Sequence, residues 1–125
     1  MIQRTRHPWT NRQGFTLIEI LMVAAVIGVL VAIAIPQFVG YRARAFDTQM
    51  KSDLKNAAIA MESYFADKKS YPTTVAAITV VGFTQTPGVT LTINVISPSS
   101  FTLTASAPNG TQPSFTLNSA TGLIY

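Results

Sequence analysis

The chain has 125 residues, no cysteine and a formal net charge of +4. This length allows one small domain and an anchor, and without cysteine there is no disulfide framework and no thiol chemistry. Three positive charges lie at Arg4, Arg6 and Arg12, and residues 1–14 contain no acid, so the remainder carries only +1. This composition does not indicate a polyanion-binding face, and no specific nucleic-acid site is evident.

Residues 15–35 form an apolar run that only Thr16, Glu19 and Gly28 interrupt. As a helix, this run is roughly 32 Å long, about the thickness of one bilayer hydrocarbon core. The basic residues 1–14 precede it, and the positive-inside rule places them in the cytoplasm. We therefore expect a single-pass membrane helix with the C-terminus outside the cytoplasm.

Glu19 is the only acid in this apolar run. A carboxylate in such a segment costs a few kcal/mol unless it is neutralised. Its side chain either reaches the polar edge of the bilayer or pairs with a cation. A carboxylate and an ammonium that are buried together offset much of the cost of burying each alone, and such a pair fixes the register between apolar helices.

Helical periodicity continues after the apolar run and predicts one long helix over about 15–67. Its second half is amphipathic, and Asp47 and Lys51 have the i, i+4 spacing of an ion pair. The apolar side chains of this half recur at steps of three or four residues: Phe46, Met50, Leu54, Ala57, Met61, Tyr64 and Phe65.

Three residues weaken the predicted helix: Gly28, Pro36 and Gly40. Pro36 lacks a backbone donor and crowds the preceding turn, so a kink or local unwinding is expected there. Two interpretations stay open. Either the proline only bends a membrane helix, which such helices tolerate, or the helix melts there when the chain leaves the bilayer.

Residues 70–125 contain no charged side chain and are rich in hydroxyl and amide groups. This composition fits a small β domain with a threonine-rich outer face, a surface that packs against neighbouring molecules, or both. Thr74 could cap a short helical turn over 75–78. Gly82 and Pro87–Gly88 mark a loop and a turn.

Strand-like alternation of apolar and polar residues follows in three runs, at 89–95, 101–106 and 115–118. Turn signals at Pro98–Ser99 and Pro108–Asn109–Gly110 separate the runs. An antiparallel meander of three strands is expected, or four if residues 123–125 join. One sheet face is apolar and needs cover, which the amphipathic half of the helix supplies. The predicted fold class is α+β.

The segment GFTLIEIL at 14–21, followed by IPQF at 35–38, closely resembles the type IV pilins, specifically the type IVa prepilins. The similarity continues through GYRARAF at 40–46 to FADKKSYPTT at 65–74, whereas the β region matches in layout. The resemblance implies three parts: a leader peptide at 1–14, an apolar membrane and filament-core helix at 15–40, and a globular domain at 41–125.

The resemblance also implies the processing and assembly sites. A prepilin peptidase and methylase would cut between Gly14 and Phe15 and methylate the new amine of Phe15. Glu19 would then pair with the Phe15 amine of an adjacent subunit. The implied partners are a helical homopolymer, membrane lipid before assembly, and the inner-membrane assembly machinery. The prepilin would lie in the bacterial inner membrane, and the mature chain in an extracellular pilus.

A structural pilus subunit serving adhesion, twitching motility or DNA uptake is the function that the resemblance implies. One alternative is a pseudopilin of a type II secretion system. The major pseudopilins typically bind calcium through acidic loops near the C-terminus, whereas no carboxylate side chain follows Asp67 here. A second alternative, a membrane-anchored binding module that does not polymerise, leaves Glu19 and the Gly14–Phe15 junction unexplained.

An enzyme is not expected, because no base accompanies the abundant serine and threonine residues outside the helix. The sequence contains no metal cluster, and no cofactor is predicted. The cysteine pair that many type IVa pilins carry near the C-terminus is also missing. Hydrogen bonds and packing alone must therefore hold the last strand.

Overall fold

The structure is a computed structural model that describes residues 14–125. The expected leader peptide therefore lies outside the described residues, apart from Gly14. The chain divides into two compact units, the first ending at Pro36 and the second comprising Gln37–Tyr125. Each unit is described by itself.

One long helix, α1, comprises Leu17–Lys68 and confirms the predicted helix over about 15–67. The helix is continuous through Gly28, Pro36 and Gly40, without a break at any of them. The kink at these residues stays a prediction. The helix ends where Lys69 adopts a left-handed conformation with φ of 57°. Its N–H donates to the Phe65 carbonyl at 2.8 Å, which satisfies a terminal acceptor of the helix.

In the first unit, every large apolar side chain of α1 is exposed, with fractions between 44% for Val31 and 81% for Leu17. By length and composition, α1 is able to cross a membrane. An apolar surface of this extent is unfavourable in water, so lipid or protein must cover it.

In the second unit, one face of α1 packs into the hydrophobic core. Met50, Leu54, Ala57 and Met61 are fully buried, as the amphipathic pattern predicted. Phe46 packs at the edge of the core, and Tyr64 and Phe65 are half-buried. Tyr71, just after the helix, stacks on Phe65 at 4.6 Å between ring centroids and meets Phe101 edge-on at 4.7 Å.

A short helix, α2, comprises Val75–Thr79 and buries Ile78. Thr74 stands at its N-cap position, but its side chain makes no capping hydrogen bond to this helix, so the predicted role of that hydroxyl is wrong. A helix of five residues leaves its terminal N–H groups accessible to water, which makes a side-chain cap dispensable.

Three antiparallel strands follow in the order β1-β2-β3: β1 at Thr90–Ser97, β2 at Ser100–Ser106 and β3 at Ser114–Asn118. The chain end pairs with β3 through an isolated bridge between Leu117 and Ile124. Thr116 and Tyr125 also exchange two backbone hydrogen bonds of 2.8 and 3.0 Å. The predicted fourth strand is therefore this short pairing, and the α+β fold class is confirmed.

Candidate assembly site

The start of α1 contains a helix-capping contact that the sequence reasoning missed. Thr16 precedes the helix, and its hydroxyl oxygen accepts a hydrogen bond of 3.3 Å from the Glu19 N–H. Its carbonyl accepts one of 3.3 Å from the Ile20 N–H. Thr16 and Glu19 have the T-x-x-E spacing of a capping box, which is readable in the sequence. Glu19 therefore has a local structural role through its backbone.

The Glu19 carboxylate, by contrast, has neither a hydrogen bond nor an ion pair within residues 14–125. The side chain lies in the first turn of α1, where a negative charge is favourable because the helix dipole is positive at that end. Phe15, two residues before the helix, is 80% exposed. The structure thus places Gly14, Phe15 and Glu19 at one helix end, where the Glu19 side chain is exposed.

Beyond the first turn, the surface of α1 in the first unit is suited to packing against other helices. Ala25, Val26, Val29 and Leu30 line a shallow apolar depression of about 310 Å³. Small and branched side chains at steps of three and four residues form the ridges and grooves through which helices interlock. At Gly28, one of the predicted kink residues, no described atom outside the local helix backbone lies within 4 Å of the position that a Cβ would occupy.

In the second unit, Asp53 forms a buried contact that sequence reasoning also missed. It is only 2% exposed. Its two carboxylate oxygens accept hydrogen bonds from the Thr86 N–H at 2.9 Å and the Thr86 hydroxyl at 2.7 Å. Thr86 begins a turn in which Gly88 has φ of 89° and Val89 donates to the Thr86 carbonyl at 3.1 Å. These two hydrogen bonds attach the turn to α1.

Asp47 makes the same kind of contact with a second loop. Its carboxylate accepts a hydrogen bond of 2.8 Å from the Thr111 N–H and a second one from the Thr111 hydroxyl. We call these two arrangements, Asp53 with Thr86 and Asp47 with Thr111, the aspartate clamps. Each attaches a loop without charged side chains to α1. The chain has no cysteine, so no disulfide can make this connection.

The expected ion pair of Asp47 with Lys51, both of which the structure describes, is not formed, because the Asp47 carboxylate is taken up by Thr111. The Lys51 ammonium instead lies 4.4 Å from the centroid of the Phe115 ring. The hydrogen bond from the Thr111 hydroxyl is the main cause that lowers the pKa of Asp47 below its ordinary value. The N–H groups of Thr111 and Gln112 and the charge of Lys51 lower this pKa further, against partial desolvation, which raises it.

No group of three histidine, cysteine, aspartate or glutamate side chains within residues 14–125 could hold a metal ion. Tyr71 and Glu62 also form a contact between ionisable side chains: the Tyr71 hydroxyl donates to the Glu62 carboxylate at 2.9 Å. Burial is the main cause that raises the pKa of Tyr71, and the Glu62 carboxylate raises this pKa further.

Family models match two adjacent segments of the chain. Residues 9–35 match the model described as "Prokaryotic N-terminal methylation motif". Residues 36–116 match the model described as "Type IV minor pilin ComP, DNA uptake sequence receptor". The chain belongs to the type IV pilin family. Members of this family are structural subunits that assemble into filaments, and the methylation motif implies processing of this pilin by a prepilin peptidase.

The pilin is similar to the type IV wide pilus major component PilA4 of Thermus thermophilus, with 39% identity over 102 residues. That match covers 81% of this chain and 78% of the relative. It is also similar to the type IV major pilin protein PilA of Myxococcus xanthus, with 46% identity over 61 residues, covering 49% of this chain but 28% of the relative.

A secretion protein is among the relatives as well. The type II secretion system core protein G of Pseudomonas aeruginosa is 40% identical over 64 residues, which cover 51% of this chain and 45% of that protein. The pilin thus spans less than half of this relative and of the Myxococcus pilin.

Proposed function

We propose that this pilin is the major subunit of a type IV pilus, which polymerises through residues 15–40 after its leader is removed. The observation that carries the proposal is the apolar surface of α1 in the first unit, which no described side chain of that unit covers. In the bilayer, lipid covers this surface. In a filament, the same surface packs against other copies, so one segment serves as anchor and as assembly interface.

Processing between Gly14 and Phe15 would create the positive group that pairs with Glu19 during assembly. The cut leaves a free, N-methylated amine on Phe15, four residues before Glu19. A heterologous contact then joins the Glu19 carboxylate of one copy to the Phe15 amine of the next, which extends into a helical polymer. The lack of any hydrogen bond or ion pair to the Glu19 carboxylate within residues 14–125 supports this role.

The globular domain at 41–125 would form the outside of the filament, with the inner membrane as the place of assembly and the cell exterior as the destination. The length of the match to the Thermus relative, which is named as a major pilus component, supports a major subunit. Adhesion and twitching motility are the tasks that we propose for it.

A DNA-uptake receptor is a second candidate, since the matching family model carries that description. Arg44, Lys51 and Lys55 are exposed and recur at steps of seven and four residues, which places them on one face of α1. Binding of sheared filaments to duplex DNA that weakens steeply with salt would favour this candidate.

A pseudopilin is the third candidate, supported by the secretion relative. The absence of acidic side chains after Asp67 disfavours it, because a calcium loop in the C-terminal region would need them.

The deciding experiment is to shear the cell surface and to measure the intact mass and N-terminal sequence of this chain. Long fibres that contain residues 15–125 with N-methyl-Phe15 support the proposal. A processed chain that is recovered only from membranes or periplasm would favour the pseudopilin. A chain that retains residues 1–14 would refute processing and support a plain membrane anchor.

A further inference from the structure

The turn that follows β2 contains an asparagine directly before a glycine. Asn109 is exposed, and Gly110 follows it. The chain has four other asparagines, which precede Arg12, Ala57, Val95 and Ser119. An asparagine side chain can be attacked by the backbone nitrogen of the next residue, and glycine obstructs that attack least because it has no side chain.

Packing against the clamp of Asp47 requires glycine at position 110. A Cβ there would lie 2.7 Å from Asp47 Oδ1, 2.9 Å from the Gln112 carbonyl oxygen and 2.9 Å from Met50 Cε. These distances are below ordinary van der Waals contact, and one of the atoms belongs to the backbone. The residue that makes Asn109 reactive is therefore fixed by the fold.

The backbone N–H of Gly110 makes only a long hydrogen bond. Its N–H donates to the Ala107 carbonyl at 3.4 Å, longer than an ordinary hydrogen bond. The equivalent nitrogen after Asn118 belongs to Ser119, which donates to the Phe101 carbonyl at 3.0 Å. The Asn118 side-chain oxygen also accepts from the Ala120 N–H at 2.9 Å. Asn118 therefore serves as an internal reference for a restrained asparagine.

We propose that Asn109 is a site of spontaneous deamidation that converts this turn to isoaspartate or aspartate as the protein ages. The Gly110 nitrogen attacks Asn109 Cγ and gives up its proton. The new N–Cγ bond closes a succinimide ring, and the Cγ–Nδ2 bond breaks to release ammonia. Water then adds to one of the two ring carbonyls and opens the ring. The overall change replaces an amide –NH₂ by –OH, without any oxidant or reductant.

The isoaspartate product acts on the adjacent clamp. It routes the main chain through the former side chain, which adds one methylene between positions 109 and 110. Thr111, whose N–H and hydroxyl both donate to Asp47, is one residue further along. The lengthened backbone displaces these donors and frees the loop from α1.

The deamidated turn also acquires a charge in a region that otherwise has none, since residues 70–125 contain no charged side chain. Asn109 lines a groove of about 230 Å³ together with Arg42 of α1. A carboxylate at position 109 therefore forms in the groove that already contains this guanidinium, which lowers the cost of the new charge.

The test is an ageing experiment on the full chain in detergent at mildly alkaline pH. Trypsin releases residues 70–125 as one peptide, because no lysine or arginine follows Lys69. Collision fragmentation then locates the mass increase, and methylation by an isoaspartyl methyltransferase separates isoaspartate from aspartate. We expect conversion at Asn109 to be about tenfold faster than at Asn118, because glycine obstructs ring closure least. Equal rates at both asparagines, or an intact Asn109, would overturn the proposal.

Two variants complete the design. N109Q should stop the reaction, because its longer side chain closes a less favourable ring. Freshly purified N109D adds the charge but keeps the normal backbone length. Hydrogen exchange of the Thr111 amide should be faster in the isoaspartate form and near wild type in N109D. An unchanged Thr111 exchange rate in the isoaspartate form would refute the effect on the clamp.

Discussion

The Asp53 side chain is polar, yet only 2% of it is exposed to solvent. Burial of a carboxylate is costly unless donors surround it, and Thr86 supplies two, an N–H and a hydroxyl. Hydrogen bonds to a charged acceptor are stronger than neutral ones, and donors that lose their acceptor inside the protein cost additional free energy. This clamp therefore has a large effect on the folding of the turn at 86–89.

The first prediction is that Asp53→Ala lowers the free energy of unfolding by about 2–4 kcal/mol, since both Thr86 donors lose their acceptor. Asp53→Asn should lose less, because one oxygen remains. The measurement is urea unfolding of the full chain in detergent, followed by near-ultraviolet circular dichroism of the tyrosines. Asp67→Ala, at an exposed position, is the control and should change little. Equal effects of the Asp53 and Asp67 variants would contradict a stabilising clamp.

The second prediction concerns Asp47 and pH. Its pKa in the folded protein lies below the ordinary value of 3.8, so the unfolded chain binds a proton more readily. Stability from this clamp is therefore present above about pH 4 and is lost as the pH falls through the lowered pKa. The difference in unfolding free energy between wild type and Asp47→Asn should shrink on acidification below that value.

Thr111→Val provides the matched test of the same clamp from its other side. Without the hydroxyl, the main cause of the lowered pKa is gone, so the pH dependence of stability should be shallower than in wild type. The free energy of unfolding is measured against pH for wild type and both variants. Parallel curves between neutral and acid pH would show that the clamp has no electrostatic role.

The clamps also show which part of the site the sequence could predict. The Gly14–Phe15 junction and Glu19 stand out because they are contiguous with an apolar run. Thr86 and Thr111, by contrast, are 33 and 64 residues away from their aspartates. Helical periodicity can place an aspartate on a helix, but it carries no information on which distant loop will reach it.

At the scale of elements, local chemistry predicted the sheet well. The alternation of apolar and polar residues predicted β1, β2 and β3, and the turn residues between them marked the connections. β1 ends at Ser97, two residues beyond the predicted end at residue 95. Its pairing with β2 continues past an irregularity between Val95 and Ser97, which alternation of apolar and polar residues does not reveal. The chain end at 123–125 contributes only a bridge, since a segment of this length can make few ladder bonds.

The third prediction compares two glycines in opposite environments. Gly88 has φ of 89° in the turn that holds Thr86, so Gly88→Ala should destabilise the protein by about 1–3 kcal/mol through backbone strain. Gly40 lies inside α1, where an added Cβ would meet no described atom within 4 Å beyond the local helix backbone, so Gly40→Ala should stabilise the helix by up to about 1 kcal/mol. Urea unfolding would measure both, and changes of the same sign would contradict the assignment of the two backbone environments.

At the scale of the whole molecule, charge and apolar surface are segregated along the chain. All charged side chains lie at or before Lys69, and the apolar residues of the first unit are exposed in the isolated chain. A polymer that buries apolar helices needs a feature that sets their register, because apolar surfaces slide past one another. On our proposal, the single carboxylate in the apolar segment would meet this requirement, since only one register would pair it with an amine.

The fourth prediction is that Glu19→Ala leaves the chain in the membrane but produces few filaments. The unpaired amine of Phe15 would be buried in each contact, which costs about 3–5 kcal/mol per subunit. Glu19→Gln should fail similarly, because it keeps the size of the side chain but removes its charge. The measurement compares pilin in sheared fibres with pilin in membranes, by immunoblot of the two fractions.

Thr16→Ala separates the two roles of position 19. It removes the hydroxyl that accepts from the Glu19 N–H but keeps the carboxylate. Loss of a helix cap costs only about 1 kcal/mol, so filaments should persist in this variant. If Thr16→Ala abolished filaments as completely as Glu19→Ala, helix capping would explain the defect. Abundant filaments from Glu19→Ala would instead show that assembly does not depend on charge pairing, and that apolar packing alone sets the register.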